Sequence, residues 1–484
     1  MAPTPARGPK APRYERIAQK YAREIAAGTL APGERFPSVR RLAADERVSV
    51  STVLQAIAQL ELLGLVEARP RSGHFVRARA RPPAPQPTRP SAVAAASPVG
   101  VAALVAKVYR AARDPGLVQL SQAAPHPDLL PTRALARAMA GATRRPPEGG
   151  VRYEMPPGSA ELRRLVARRA PAWGGDLTAD ELVVTTGATE GVHLCLLAVA
   201  RPGDVVAVES PTYYGTLKTL EHLNLRVLEL PCDPHEGIVP EGLEEALATH
   251  RLAAVVATPS FSNPLGSCMP DAAKERMVRL LAARGVPLIE DDAYGDLAFG
   301  PTRPRAAKSF DRDGLVMYCG SFSKTLAPGY RVGFVAPGRF RDRIEELKFA
   351  LNVATPTLPQ LAVARYLRGG GFERHLRAMR DRLAAIVART AAAVAEAFPP
   401  GTRVSSPAGG CFLWVELPGA VDAMELHARA LDAGVSIAPG PIFSPEGGHR
   451  SSIRLACGEP WSERLDAAIR LVGRLATRLA ARAA

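Results

Sequence analysis

Apolar residues recur along this chain in two patterns, and the change from one to the other divides it. Near the start, Tyr14, Ile17, Ala18, Tyr21 and Ile25 fall on one helical face. A short helix is predicted from Pro37 to Ala43, with Ser38 as its N-cap. A second begins near Ser49 and carries Val53, Ile57 and Leu60 on one face, and four residues turn between the two helices. Residues 65–68 and 73–76 then alternate as two short strands around a turn. Three helices and a hairpin predict a winged helix-turn-helix. Further on, the pattern becomes continuous apolar runs of four or five residues: Leu182 to Thr186, Val205 to Val208, Ala254 to Thr258, and Val286 to Glu290. Such runs suit buried strands of an α/β core, and each delivers a polar loop at its C-terminal end.

Between the two patterns, residues 77–90 are rich in proline and arginine and lead into an Ala/Ser stretch ending near Pro98. Prolines favour extended, semi-rigid chain. We therefore expect a winged-helix domain over 1–78, a linker over 79–98, and a large α/β domain over 99–484 with a small C-terminal α+β lobe. The formal charge is +15, and residues 1–90 hold 16 Lys and Arg against 7 Asp and Glu, a bias that suits nucleic acid. Six cysteines at 195, 232, 268, 319, 411 and 457 have no zinc-type spacing and suit a reducing cytosol, so no metal site is expected. No apolar run approaches the roughly 20 residues that span a bilayer, and a cytoplasmic location is expected.

The polar loops carry the chemistry. Ser321, Phe322, Ser323, Lys324 and, seven residues on, Arg331 suit an aldehyde cofactor bearing a phosphate, which is pyridoxal 5′-phosphate. The lysine can form an imine, the hydroxyls can bond phosphate oxygens, and the guanidinium can grip the phosphate with two parallel donors. Asp291 at a strand end could keep a pyridine nitrogen protonated, while Tyr294 and Asn263 could donate to the ring's phenolate oxygen. Gly187, Ala188 and Thr189 form a strand-to-helix junction whose N–H groups suit a phosphate, and Tyr213 could lie flat on the ring.

In this order, these residues resemble the fold type I pyridoxal-phosphate enzymes, specifically the class I and II aminotransferases, over roughly residues 115–475. The resemblance implies that Lys324 is the Schiff-base lysine, Asp291 the partner of the pyridine nitrogen and Tyr213 the stacking aromatic. It also implies that Ser321, Ser323, Arg331 and Thr189 hold the phosphate, that Tyr153 reaches the phosphate of a neighbouring subunit, and that Arg454 binds a substrate or effector carboxylate. The site would then need a homodimer.

Residues 32–43, PGERFPSVRRLA, with the serine-rich helix and the wing that follow, resemble the DNA-binding domain of the GntR regulators. By that resemblance Arg35 and Arg40 contact phosphates or a base edge, Ser49, Ser51 and Thr52 stand at the start of the recognition helix, and Gly73 with His74 meets the minor groove. Many relatives are basic at the positions of Val50 and Leu54, so this helix offers less to guanine and more to thymine methyls. The two modules in this order resemble the MocR branch of that family. The implied protein is a cytoplasmic regulator that binds operator DNA as a head-to-tail, domain-exchanged dimer. It would sense pyridoxal phosphate or an amino compound, with displacement of Lys324 by an effector amine supplying two states. The alternative is a working aminotransferase with a tethered DNA-binding domain.

Overall fold

A computed structural model of the chain describes residues 12–26, 29–30, 33–69, 72–76, 84–88, 95–111, 114, 116–144, 150–419 and 421–483. They form two compact units, Met1–Ala84 with Ala388–Ala397, and Pro85–Val387 with Phe398–Ala484. In the first, α1 (Arg13–Ala26), α2 (Val39–Asp45) and α3 (Val50–Leu62) precede the hairpin β1 (Val66–Arg69) and β2 (Gly73–Val76). The Ser38 and Ser49 hydroxyls accept from the N–H of Arg41 and Thr52, capping α2 at the predicted residue and α3 where its start was expected. Gly73 closes the hairpin at φ +95°, a conformation that suits glycine because it has no Cβ. The face anticipated on α1 buries Ile17, Ala18 and Tyr21 against Val53, Ile57 and Leu60 of α3 and Leu42 of α2. Each fully buried aliphatic side chain contributes about 1.5–3 kcal/mol, so Ile57→Ala alone would cost about 2–5 kcal/mol.

The second unit is built on a nine-stranded sheet. Its strands are β3 (Ser97–Pro98), β4 (Val183–Thr185), β5 (Val205–Ser210), β6 (Arg226–Asp233), β7 (Leu252–Ala257), β8 (Leu288–Asp292), β9 (Val316–Ser321) and β10 (Gly333–Ala336). They run in the order β3-β6-β5-β7-β8-β9-β10-β4, with the short Gly237–Ile238 strand pairing off β6. Strands β6, β5, β7, β8 and β9 are mutually parallel, while β10 is antiparallel to both its neighbours. The strands are apolar on both faces because helices cover both, and Val206–Val208, Val255 and Ile289 are almost wholly buried. Two of these helices are α4 (Ala188–Val199) and α5 (Tyr214–His222). A second, antiparallel sheet carries the C-terminal lobe, with β11 (Arg403–Val404), β12 (Phe412–Glu416), β13 (Ala438–Pro439) and β14 (Ser452–Ala456) in the order β11-β12-β14-β13.

Of the predicted linker, residues 79–83 and 89–94 lie outside the described residues. The described parts are tied to the second unit. The Val404 N–H donates to Pro85 O at 2.8 Å, and the Thr88 N–H and hydroxyl donate to Glu416 at 2.9–3.0 Å. Ser97 and Pro98 pair with Val227 and Arg226 at the sheet edge. No described helix is long and apolar enough to cross a membrane.

Candidate functional site

Register across the large sheet brings the predicted chemistry together. Asp291 on β8 stands beside Cys319 on β9, and Ser321, Gly333 and Thr185 follow one another across β9, β10 and β4. The loops leaving these strands enclose a cavity of about 180 Å³. Its walls include Ala188, Thr189, Tyr213, Asn263, Asp291 and Tyr294, and also Ser321, Ser323, Lys324 and Arg331. Ten of the predicted cofactor residues are thus assembled from loops far apart in sequence.

At one end the groups suit an anion. Arg331 Nη1 donates to the Ser323 hydroxyl at 3.0 Å, and the Ser323 N–H donates to the Ser321 hydroxyl at 3.1 Å. Gly187, at φ +80°, occupies the cap position of α4 without a side-chain cap. A Cβ there would lie 2.5 Å from Arg331 Nη2, so a side chain would fill the space where this guanidinium meets the helix N-terminus. The helix dipole and its unpaired N–H groups add to the preference for negative charge.

At the other end stands Asp291. Burial, followed by the neighbouring Asp292 carboxylate, pushes its pKa up to about 6, and its Oδ1 is buried without a hydrogen-bond partner. An unpartnered buried acceptor is costly unless a ligand donor meets it. Lys324 lies in a turn after β9 and donates from Nζ to the carbonyl of Ala123 at 2.6 Å. Burial lowers its pKa, raising the fraction of neutral, nucleophilic amine. Asn263 Oδ1 accepts from Arg454 Nη1 at 2.7 Å, which leaves its amide N–H groups as the donors available to the cavity. Tyr294 is buried and packs edge-on against Phe412, so its ring position is fixed.

Arg454, on β14, is fully buried among the rings of Tyr214, Phe412 and Phe443 at 5.1–5.9 Å. Besides Asn263 it reaches the carbonyl of Ser121, while its Nε has no partner. Among the described residues no carboxylate pairs with it, so the guanidinium is a buried cation able to take an anion. Tyr153 stands apart from the cavity and is 78% exposed.

Several participants were not assigned from sequence. Thr258 and Ala293 line the cavity, and Glu209, at the end of β5, accepts from the Thr258 N–H at 3.1 Å. Burial pushes the Glu209 pKa up to about 8, so at neutral pH it is mostly protonated and Asp291 is the acid that carries charge. The visible signal for Glu209 was a lone acid closing an apolar run.

In the first unit, Arg35, Arg40, Ser49, Ser51 and Gly73 are exposed, and Val50 and Leu54 on α3 are about half exposed. Thr52 is half-buried, and both its hydroxyl and that of Ser51 lie 2.9 Å from Ser49 Oγ. These hydroxyls are engaged with one another at the helix start. His74 Nε2 lies 3.4 Å from Glu61 Oε1 of α3, so the hairpin packs against that helix.

Comparison with known proteins accounts for both units. The family pattern described as aminotransferase class I and II matches residues 127–471, and that of bacterial regulatory proteins of the gntR family matches residues 13–76. The uncharacterized HTH-type transcriptional regulator YjiR of Escherichia coli K12 is 37% identical over 464 residues, covering 95% of this chain and 98% of the relative. The chain belongs to the GntR regulators that carry an aminotransferase domain. Among enzymes, the 2-aminoadipate transaminase of Thermus thermophilus is 31% identical, over 77% of this chain and 93% of its own. The crystal structure of LysN, alpha-aminoadipate aminotransferase from the same species, was solved with N-(5'-phosphopyridoxyl)-L-leucine. It superposes with a TM-score of 0.71 at 30% identity, covering 78% of this chain and 98% of that one. The cofactor of this MocR-type regulator is therefore pyridoxal phosphate, and the cradle fits it, with an anion end, an aromatic wall, an orphaned acid and a half-buried lysine.

Proposed function

We propose that the protein is a transcriptional regulator that binds operator DNA through residues 1–78 and senses pyridoxal phosphate, an amino compound, or both through residues 99–484. The observation that carries this reading is the presence, in one chain, of a winged helix and a cradle with Lys324, Asp291 and Arg331 in place. Bound pyridoxal phosphate supplies an aldehyde that condenses with amines and a ring that withdraws electrons when its nitrogen is protonated. Lys324 provides the protein's amine, and Asp291 holds the proton at the ring nitrogen. Tyr294 and Asn263 orient the ring through its phenolate oxygen, with Tyr213 against its face. Ser321, Ser323, Arg331, Thr189 and the N–H groups after Gly187 bind the phosphate. Arg454 selects effectors with a carboxylate, since a buried guanidinium without an anion gains most from one.

The exposed Tyr153 supports a homodimer in which it reaches the partner's cradle, with the heads exchanged head to tail. Arg35, Arg40, Ser49, Ser51, Thr52, Gly73 and His74 face the duplex. A DNA-binding regulator of this kind works in the cytoplasm. The decisive measurement is operator binding by the full chain, with and without candidate amino acids, in wild type and Lys324→Ala. An effector response that needs Lys324 is expected, and an identical response in both proteins would overturn the reading. The complete cradle also favours a second reading, a working aminotransferase, which multiple turnovers with a keto acid and no salt-sensitive DNA binding would support.

A further inference from the structure

A larger cavity, of about 250 Å³, lies elsewhere in the second unit and shares no lining residue with the cofactor cradle. Pro211, Leu265 and Trp414 form its apolar walls, and Glu416, His449 and Thr88 line its polar side. Its size is below the usual range for drug-sized ligands and suits a compact metabolite. Among the described residues no lysine or arginine lines it. His449 is neutral, since burial pushes its pKa down to about 4, and it packs edge-on against Trp414. Glu416 is therefore the charged group of the wall. Its carboxylate accepts only the neutral donors of Thr88, the N–H at 2.9 and 3.0 Å and the hydroxyl at 3.0 Å, among the hydrogen bonds of the described residues.

Neutral donors leave the net charge of the carboxylate uncompensated, so a cation placed beside it gains Coulombic attraction that Thr88 cannot supply. An indole in the same wall adds attraction for an ammonium group. We propose that this cavity is a second small-molecule site, for a compact ammonium compound whose charge is taken by Glu416 in competition with the Thr88 segment. Occupancy would free Thr88 from Glu416 to the extent that it displaces it, while Pro85 stays held by the Val404 N–H.

The test uses tetramethylammonium, which has no N–H and cannot condense with the cofactor's aldehyde, against its neutral counterpart tert-butanol. Binding to the full-length, cofactor-loaded protein is followed by ligand-observed NMR at constant ionic strength. Saturable binding of the cation is expected, about tenfold weaker in Glu416→Gln, with the cofactor's visible absorption unchanged as the check on folding. Thr88→Pro, which removes both competing donors, should tighten binding by about threefold. Binding should persist in Lys324→Ala. Equal affinity in wild type and Glu416→Gln, equal affinity for the alcohol, no gain in Thr88→Pro, or loss of binding in Lys324→Ala would each overturn the proposal.

Discussion

In and beside the cradle, Arg331 and Thr189 are exposed and most other groups that would face a ligand are half-buried or buried, and two buried atoms lack partners: Asp291 Oδ1 in its wall and Nε of the nearby Arg454. In the winged helix, Arg35, Arg40 and Ser51 are exposed, and the hydroxyls of Ser49, Ser51 and Thr52 bond to one another. Burial makes an unsatisfied group expensive, so the cradle carries a negative image of its ligand in the groups left unpaired. Exposed side chains incur no such cost and are satisfied by water, so they declare charge without declaring which base they read. A small-molecule site can thus be recognised in the protein alone, whereas a DNA interface acquires its specificity only against the duplex.

The largest expected effect separates the two regions. Lys324→Ala should abolish covalent trapping of the cofactor by borohydride, measured by mass spectrometry, while leaving the salt dependence of non-specific DNA binding unchanged. Undiminished trapping in the variant would remove Lys324 from the cofactor. Next, Arg454→Ala should weaken the response to carboxylate-bearing amines by about 1.5–3 kcal/mol, roughly ten- to a hundredfold, in effector titrations of operator binding. Effectors without a carboxylate, responding equally in both proteins, would sharpen the assignment, and an unchanged response to amino acids would reverse it.

Asp291→Asn should reduce cofactor affinity by a similar or smaller factor in spectral titrations, and it should also remove a pH dependence. The Asp291 pKa is raised to about 6, chiefly by burial. Below that pH the carboxyl carries a proton that must leave before it can hold the pyridinium, so affinity in the wild type should rise as pH increases through about 6. A wild-type profile that is flat between pH 5 and 7 would contradict this role.

The smallest effect lies in the head. Arg40→Ala should lower the slope of log affinity against log salt by about 0.9 if Arg40 neutralises one phosphate, and similarly on all sequences. If instead it reads guanine, discrimination at one base pair should fall by about 1–3 kcal/mol. Competition binding with single-base operator variants at two salt concentrations distinguishes the two. A variant indistinguishable from wild type on every duplex would take Arg40 out of the interface.

Much of this was legible in the sequence because side-chain period and loop chemistry coincide. The apolar runs ending at Thr186, Val208, Thr258 and Glu290 became strands of one sheet, and the polar residues after them met in one cavity. Ser38 was readable as a cap, and Ser49 as the place where the next helix starts, because capping is local. What escaped depended on long-range packing. Glu209 is an ordinary acid in sequence, and only complete burial beside Asp291 makes it a neutral one. The approach of His74 to Glu61 needed the hairpin packed against α3. The hold of Glu416 on Thr88 joins residues 328 apart, a separation at which no pattern in the chain gives notice.

The hydrogen bond from Arg454 to Asn263 joins two assignments that are otherwise separate. One residue would meet the effector's carboxylate and the other the cofactor's phenolate oxygen, so whatever draws the guanidinium toward an anion changes how the amide is held. Thermodynamic linkage makes that traffic two-way: if carboxylate occupancy alters the grip on the cofactor, cofactor occupancy alters affinity for the carboxylate by the same factor. Through that bond, the effector concentration to which the regulator responds would be set partly by the vitamin B6 supply of the cell.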